Sequence, residues 1–162
     1  MTAQVVDSIL KGNPNAKVEL VDAPTFTSHN YGHVISGSSK IARIYQAVAA
    51  LHPTHVTYVN AGLSVEGPNG SWVKSLPCLA VEKAQGLCSG GDVQTIRIFG
   101  ISTKLILVRG PDRLHFCTQQ WPLSFPLTGC PNYSSGVYRY SAAMLIPGMQ
   151  ALGLGPLPDL SL

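Results

Sequence analysis

Asp112 and His115 stand three residues apart in Arg109-Gly110-Pro111-Asp112-Arg113-Leu114-His115-Phe116-Cys117, straight after a run of β-type residues. Gly110-Pro111 marks a loop, and Pro111 biases Gly110 away from helix. A His on such a loop can donate one ring N–H to the carboxylate. Its other nitrogen is then free to take a proton from a nucleophile. Five Asp and five His in 162 residues would produce such a pair by chance in about one chain in six, so the pair gains weight only from its surroundings.

The other reactive side chains fit bland roles. His29 and His33 are four apart and His52 and His55 three apart, but Gly32 and Pro53 argue for loops, where solvated imidazoles are expected rather than metal ligands. His29 and His33 could instead line a cleft, because their loop follows a strand end. Ser64 and Ser71 lack a strand-turn-helix elbow. Ser36, Ser38 and Ser39 miss a Ser-x-x-Lys spacing, because Gly37 holds the position three before Lys40. Cys117 lies too close to His115 in sequence for easy approach to that ring. Trp121, Phe125 and Tyr133 could wall an acyl or glycan pocket, or only fill space under a long loop.

Composition bounds the classes. A chain of 162 residues suits one domain, and 45% apolar residues support a core. Charged residues make up 12%, about half the usual share of roughly 25%. The 11 basic residues are scattered and the net charge is +3, which argues against a nucleic-acid footprint. No apolar run approaches the ~18 residues of a membrane span, and Met1-Thr2-Ala3-Gln4 lacks the basic start of a signal peptide. Four Cys permit three pairings. The neighbour pairs Cys78–Cys88 and Cys117–Cys130 are the simplest, with free buried thiols or a metal site as alternatives. Disulfides would point to an oxidising compartment, while zinc is disfavoured by the absence of Cys-x-x-Cys.

These groups need elements to position them. Val5, Val6, Ile9 and Leu10 predict a first helix with Gly12 just past its end. Lys17–Val21 predicts a strand, and Thr25 to about Ser36 a polar loop. Ile41, Ile44, Tyr45, Val48 and Leu51 predict an amphipathic helix capped by Ser36 or Ser38 and stopped by Pro53. Val56–Val59 predicts a second strand, parallel to the first in a right-handed βαβ unit. Catalytic groups in such sheets sit at the carboxyl ends of strands, here Asp22-Ala23-Pro24 and Asn60-Ala61-Gly62. Residues 62–91 read as loop-rich. Thr95–Phe99 and Lys104–Val108 predict a hairpin or edge pair around Gly100. Ser134 or Ser135 would cap a last helix ended by Pro147-Gly148, before a flexible Pro/Gly-rich tail over 151–162.

Asn60-Ala61-Gly62, Gly67-Pro68-Asn69-Gly70-Ser71-Trp72, Ser75-Leu76-Pro77-Cys78, Asp112 to Cys117, Cys130-Pro131 and Ser134-Ser135-Gly136 together resemble the C-terminal part of secreted SGNH-type (GDSL-like) hydrolases of the actinobacterial kind. The resemblance runs from about Lys17 to Met144. It implies an α/β, flavodoxin-like parallel sheet with flanking helices, incomplete over residues 1–150, with a small β-hairpin or edge-strand addition. It implies an ester hydrolase acting on a lipid or acylated carbohydrate, with His115 as general base and Asp112 as its orienter. No cofactor or metal is implied, and the location is the secreted or cell-envelope space. The family's Gly-Asp-Ser nucleophile block is not in this sequence, and Gly12-Asn13-Pro14-Asn15 reads as a turn. The expectation is therefore a C-terminal portion, inactive without a missing N-terminal segment. The alternative is a secreted, disulfide-held binding or structural module. Sheet loss would also leave an apolar edge needing a partner.

Overall fold

A computed structural model describes residues 1–28, 32–86, 88, 93–110, 116 and 135–154. Asp112, His115, Cys117, Cys130, His29, the aromatic residues Trp121, Phe125 and Tyr133, and most of the expected tail lie outside the described residues. The architecture is mixed α/β. In order come α1 (Thr2–Gly12), β1 (Val18–Val21), β2 (Phe26–Ser28), β3 (Gly32–Val34), α2 (Lys40–Leu51) and β4 (Val56–Val59). Two 3-10 turns follow at Ala61–Val65 and Pro68–Gly70. Next are β5 (Ser75–Pro77), α3 (Ala80–Ala84), β6 (Val93–Ile98), β7 (Ile101–Leu107) and α4 (Ser135–Ala151).

β1 and β4 form a two-stranded parallel sheet in the register Val18 to Val56 through Val21 to Val59. Parallel neighbours need a crossover, and α2 supplies it. Val6 of α1, Val48 of α2 and Val56 of β4 bury one core, joined by Ala3, Leu10, Val18, Leu20 and Ala49. The other sheets are antiparallel: the β2–β3 pair, and β5-β7-β6. The latter carries a second core of Cys78, Cys88, Ile106 and Val93.

Several details differ from expectation. The stretch from Thr25 to Ser36 is not all loop, because Phe26 pairs with Val34 and Thr27 with His33. Their β-branched and aromatic side chains favour that pairing. The cap of α2 is Ser39, whose Oγ accepts the Ala42 N–H at 2.9 Å. Its buried face is set by Ala42 and Val48, while Ile41, Ile44 and Leu51 remain exposed. A small residue at the contact lets the helix approach two narrow strands closely, and those strands cannot cover the full apolar stripe. Gly12 closes the last turn of α1, and Asn13 is the C-cap.

Pro147 does not end α4, which continues to Ala151. Gly148 packs against β1 there: a Cβ would lie 2.2 Å from the Glu19 carboxylate, so a larger residue would displace that side chain. The expected hairpin around Gly100 is present, with β6 and β7 paired from Val93–Ile106 to Ile98–Ile101. Phe99 and Gly100 both take positive φ at its tip, the conformation that two-residue hairpins require.

Cys78 and Cys88 are joined in a disulfide within the second core. Closing so short a loop restricts the unfolded chain, by about 3 kcal/mol in the chain-entropy model. No helix among the described residues is long and apolar enough to cross a membrane.

Replacing Cys78 and Cys88 together by Ala should lower the free energy of urea unfolding by roughly 2–3 kcal/mol, and reductant should lower wild-type stability to a similar value. A second expectation concerns Glu19. Burial raises its carboxyl above the usual 4.5, so the folded state binds this proton more tightly than the unfolded state. The stability associated with Glu19 is complete below 4.5 and is lost as pH rises through the raised value. Glu19→Gln should therefore raise the melting temperature at pH 7, with the gain vanishing near pH 3 in a thermal melt series.

Candidate functional site at the strand ends

The strand-end residues do converge. Asp22, the residue after β1, is buried. Its Oδ1 accepts its neighbour Ala23 N–H at 2.8 Å, and its Oδ2 accepts the Gly37 N–H and the Tyr58 hydroxyl. The Tyr140 hydroxyl of α4 donates to its backbone carbonyl at 2.8 Å. One residue thus ties the end of β1 to the loop before α2, to β4 and to α4. Gly37 has φ of +71°, and a Cβ there would come within 2.6 Å of Asn60 Nδ2. Only glycine meets both conditions.

Asn60 follows β4 and accepts a hydrogen bond from Ser36 Oγ through its Oδ1. Ser36 N–H donates to Thr25 Oγ1 at 2.8 Å, and Thr25 Oγ1 donates to the Gly70 carbonyl at 2.9 Å. Thr25 N–H donates to Glu66 Oε1 at 2.5 Å. Arg109 Nη2 donates to the Thr25 carbonyl at 2.8 Å. Gly62 allows this crowding, since a Cβ would fall 2.3 Å from Ser36 Oγ and 2.9 Å from Glu66 Oε1. Arg109 also stacks on the Phe116 ring at 4.7 Å, and Phe116 packs 5.4 Å from the ring of Tyr140.

The electrostatics follow from burial among these charges. The Tyr58 hydroxyl is pushed up to about 12, first by burial and then by the negative charge and hydrogen bond of Asp22, with Glu66 adding to the effect and Gln46 opposing it. Tyr140 is raised by burial and Asp22, partly offset by the Arg109 guanidinium. Both phenols are therefore donors at neutral pH. Asp22 has three donors on its carboxylate, which suits it to positioning rather than proton abstraction. Ser36 donates to an amide oxygen, which does not activate a hydroxyl. The Ser135 hydroxyl donates to the Glu82 carboxylate, but, against its burial, Arg139 and the Leu79 amide hold that carboxylate below its usual range and make it a weak base.

A second buried polar cluster braces the site from below. Glu82 of α3 and Arg139 of α4 form a two-pronged ion pair, at 2.9 Å through Nε and 2.6 Å through Nη2. Ser135 Oγ and the Leu79 N–H also donate to Glu82, and Arg139 donates to the Pro77 carbonyl at 2.7 Å. Burial raises the Glu82 carboxyl, but Arg139, Ser135 and the Leu79 amide together outweigh it and hold the group below its usual range. Sulfur and oxygen donors of Cys78, Glu82 and Cys88 lie within 4.8 Å of one another. The disulfide and the ion pair already engage them, so the cluster is a tie between elements.

Of the remaining sequence candidates, His33, His52, His55 and Ser64 do not join the site. His33 is exposed on β3. His52 pairs with Asp7 at 3.1 Å, and His55 Nδ1 lies 3.2 Å from the Ala16 carbonyl, so both link α1 and its following turn to the end of α2. Ser64 Oγ donates to the Ala61 carbonyl within its own turn. Asp112 and His115 lie outside the described residues. Sequence reasoning missed Thr25, Glu66, Arg109, Tyr140 and the Glu82–Arg139 pair. The available signal was scarcity: with 12% charged residues, a charge set in an apolar stretch, as in Leu-Val-Arg109 or Ala-Val-Glu82, was a candidate for burial with a partner.

Compared with protein-family models, curated proteins and solved structures, the chain matches none.

In an absorbance titration of tyrosinate, one phenol should remain protonated until about pH 12. Asp22→Asn should bring that transition down, because it removes the negative charge beside Tyr58; an unchanged curve would show that Asp22 does not face it.

Proposed function

We propose that the chain is the part of an SGNH-type ester hydrolase that carries the general base, with His115 in that role and Asp112 as its orienter. A lipid ester or an acylated carbohydrate would be the substrate class, and the secreted or cell-envelope space the setting. One observation carries the proposal. Arg109 and Phe116, the described residues on either side of the Asp112–His115 segment, both join the polar cluster at the carboxyl ends of β1 and β4. Strand ends of parallel units are where such α/β enzymes do chemistry. The β1–α2–β4 unit is compatible with a flavodoxin-like sheet.

In this reading His115 takes the proton of a serine hydroxyl as the serine oxygen bonds to the ester carbonyl carbon. It then returns that proton to the departing alcohol as the carbon–oxygen bond breaks. Asp112 holds the tautomer and stabilises the imidazolium. The Gly-Asp-Ser block is not in the sequence, so the proposed activity needs a serine from elsewhere. A second reading, a secreted binding or structural module, is favoured by the Cys78–Cys88 disulfide.

Two measurements separate them. The chain alone should not hydrolyse a short-chain aryl ester; a rate abolished by His115→Ala would refute the need for an external serine. In an NMR titration, Asp112→Asn should lower the His115 transition, since it removes the stabilising charge. If that transition stays put, the dyad does not exist and the module reading prevails.

A further inference from the structure

Between the 3-10 turn Ala61–Val65, β5, the start of α3 and the middle of α4 lies a cavity of about 410 Å³. That size falls within the range of small-molecule sites. Leu63, Leu76 and Leu79 give it an apolar wall, while Asn60, Ser64 and Arg139 bring polar groups to it.

Arg139 is 3% exposed, and a guanidinium carries five N–H donors in a fixed fork. Nε gives its one to Glu82, and Nη2 gives its two to Glu82 and the Pro77 carbonyl. The two on Nη1 have no partner among the described residues. Nη1 is not one of the sealed polar atoms, so it keeps accessible surface. Asn60 is in the same position. Its Oδ1 accepts from Ser36, while its Nδ2 donates to no described residue and is not sealed. The Ser64 hydroxyl gives its hydrogen to the Ala61 carbonyl at 2.7 Å, so toward a ligand it can only accept. The ion pair with Glu82 fixes the guanidinium before any ligand arrives, which favours binding at its idle edge.

We propose that this cavity binds an uncharged carboxamide on a short aliphatic chain. Its carbonyl oxygen takes the Arg139 Nη1 and Asn60 Nδ2 donors, its N–H meets Ser64 Oγ, and its chain lies on Leu63, Leu76 and Leu79. Two donors and one acceptor above an apolar wall call for a ligand with a strong acceptor and a donor. A carboxamide has both, an ester has no donor, and an alkylammonium has no acceptor. A carboxylate has no donor either, and its charge is opposed. Glu82 already neutralises Arg139, and Glu66 adds a negative charge to the cavity lining. The site stands apart from the ester chemistry, since it uses neither Asp112 nor His115 and selects against an ester.

The full chain should be titrated at pH 7 with butyramide, propionamide, methyl propanoate and sodium butyrate. Ligand-detected NMR suits the weak binding of such small probes. Saturable butyramide binding is expected, tighter than propionamide by about fourfold for the additional buried methylene. Methyl propanoate, which keeps the carbonyl and lacks the N–H, should bind about fivefold more weakly than butyramide, and butyrate at least tenfold more weakly. Asn60→Asp keeps the acceptor for Ser36 Oγ and removes the donor; it should weaken butyramide at least tenfold in protein shown to be folded by circular dichroism. Leu63→Ala changes an exposed wall residue and should weaken it severalfold. If Asn60→Asp fails to fold, the order of the four probes and the Leu63→Ala effect decide the matter. No saturable binding, binding of the ester or the carboxylate as tight as that of butyramide, or indifference of folded Asn60→Asp would each overturn the proposal.

Discussion

A carboxylate taken out of water must collect donors, and Asp22 does so by drawing four parts of the chain together. Its side chain fixes the Gly37 turn and Tyr58, and its carbonyl takes the Tyr140 hydroxyl. Two parallel strands of four residues have little sheet of their own, so their carboxyl ends would otherwise splay. The buried charge makes splaying expensive, because any opening that removes a donor leaves an unsatisfied anion. The loop before α2 and the N-terminal half of α4 are located by that requirement as much as by apolar burial.

The same logic recurs at Glu82 and Arg139. Neither partner could be buried alone, and together with Ser135, the Leu79 amide and the Pro77 carbonyl they satisfy almost every donor and acceptor. The pair joins α3 to α4 across a region rich in loops. Beside it, the Cys78–Cys88 bond ties β5 to the approach to β6. The antiparallel half of the molecule therefore rests on a covalent link and an ion pair around a small apolar core. The parallel half rests on valine packing against α1 and α2 and on the Asp22 network.

The two halves meet at Thr25. Thr25 has its amide on Glu66, its carbonyl on Arg109 and its hydroxyl between Ser36 and Gly70. Such a saturated node is rigid, which suits a floor on which other groups are placed. Arg109 and Phe116 lie at this node through the Thr25 carbonyl and the Tyr140 ring.

The chain's local patterns were enough to predict the β1–α2–β4 unit and the final helix, and they favoured the β6–β7 hairpin and the neighbour pairing of Cys78 with Cys88 without excluding alternatives. Hydrophobic periodicity, turn residues and short loop closure act over a few residues, so they can be read in one dimension. Which face of α2 is buried, the passage of α4 through Pro147, and the pairing of β2 with β3 were decided by neighbours far along the chain. So were the partners of its buried charges, such as Glu82 with Arg139 and Thr25 with Arg109. Local pattern states that a charge sits among apolar residues; only the folded arrangement brings the group that neutralises it within hydrogen-bond reach, because that distance is set by packing and not by separation along the chain.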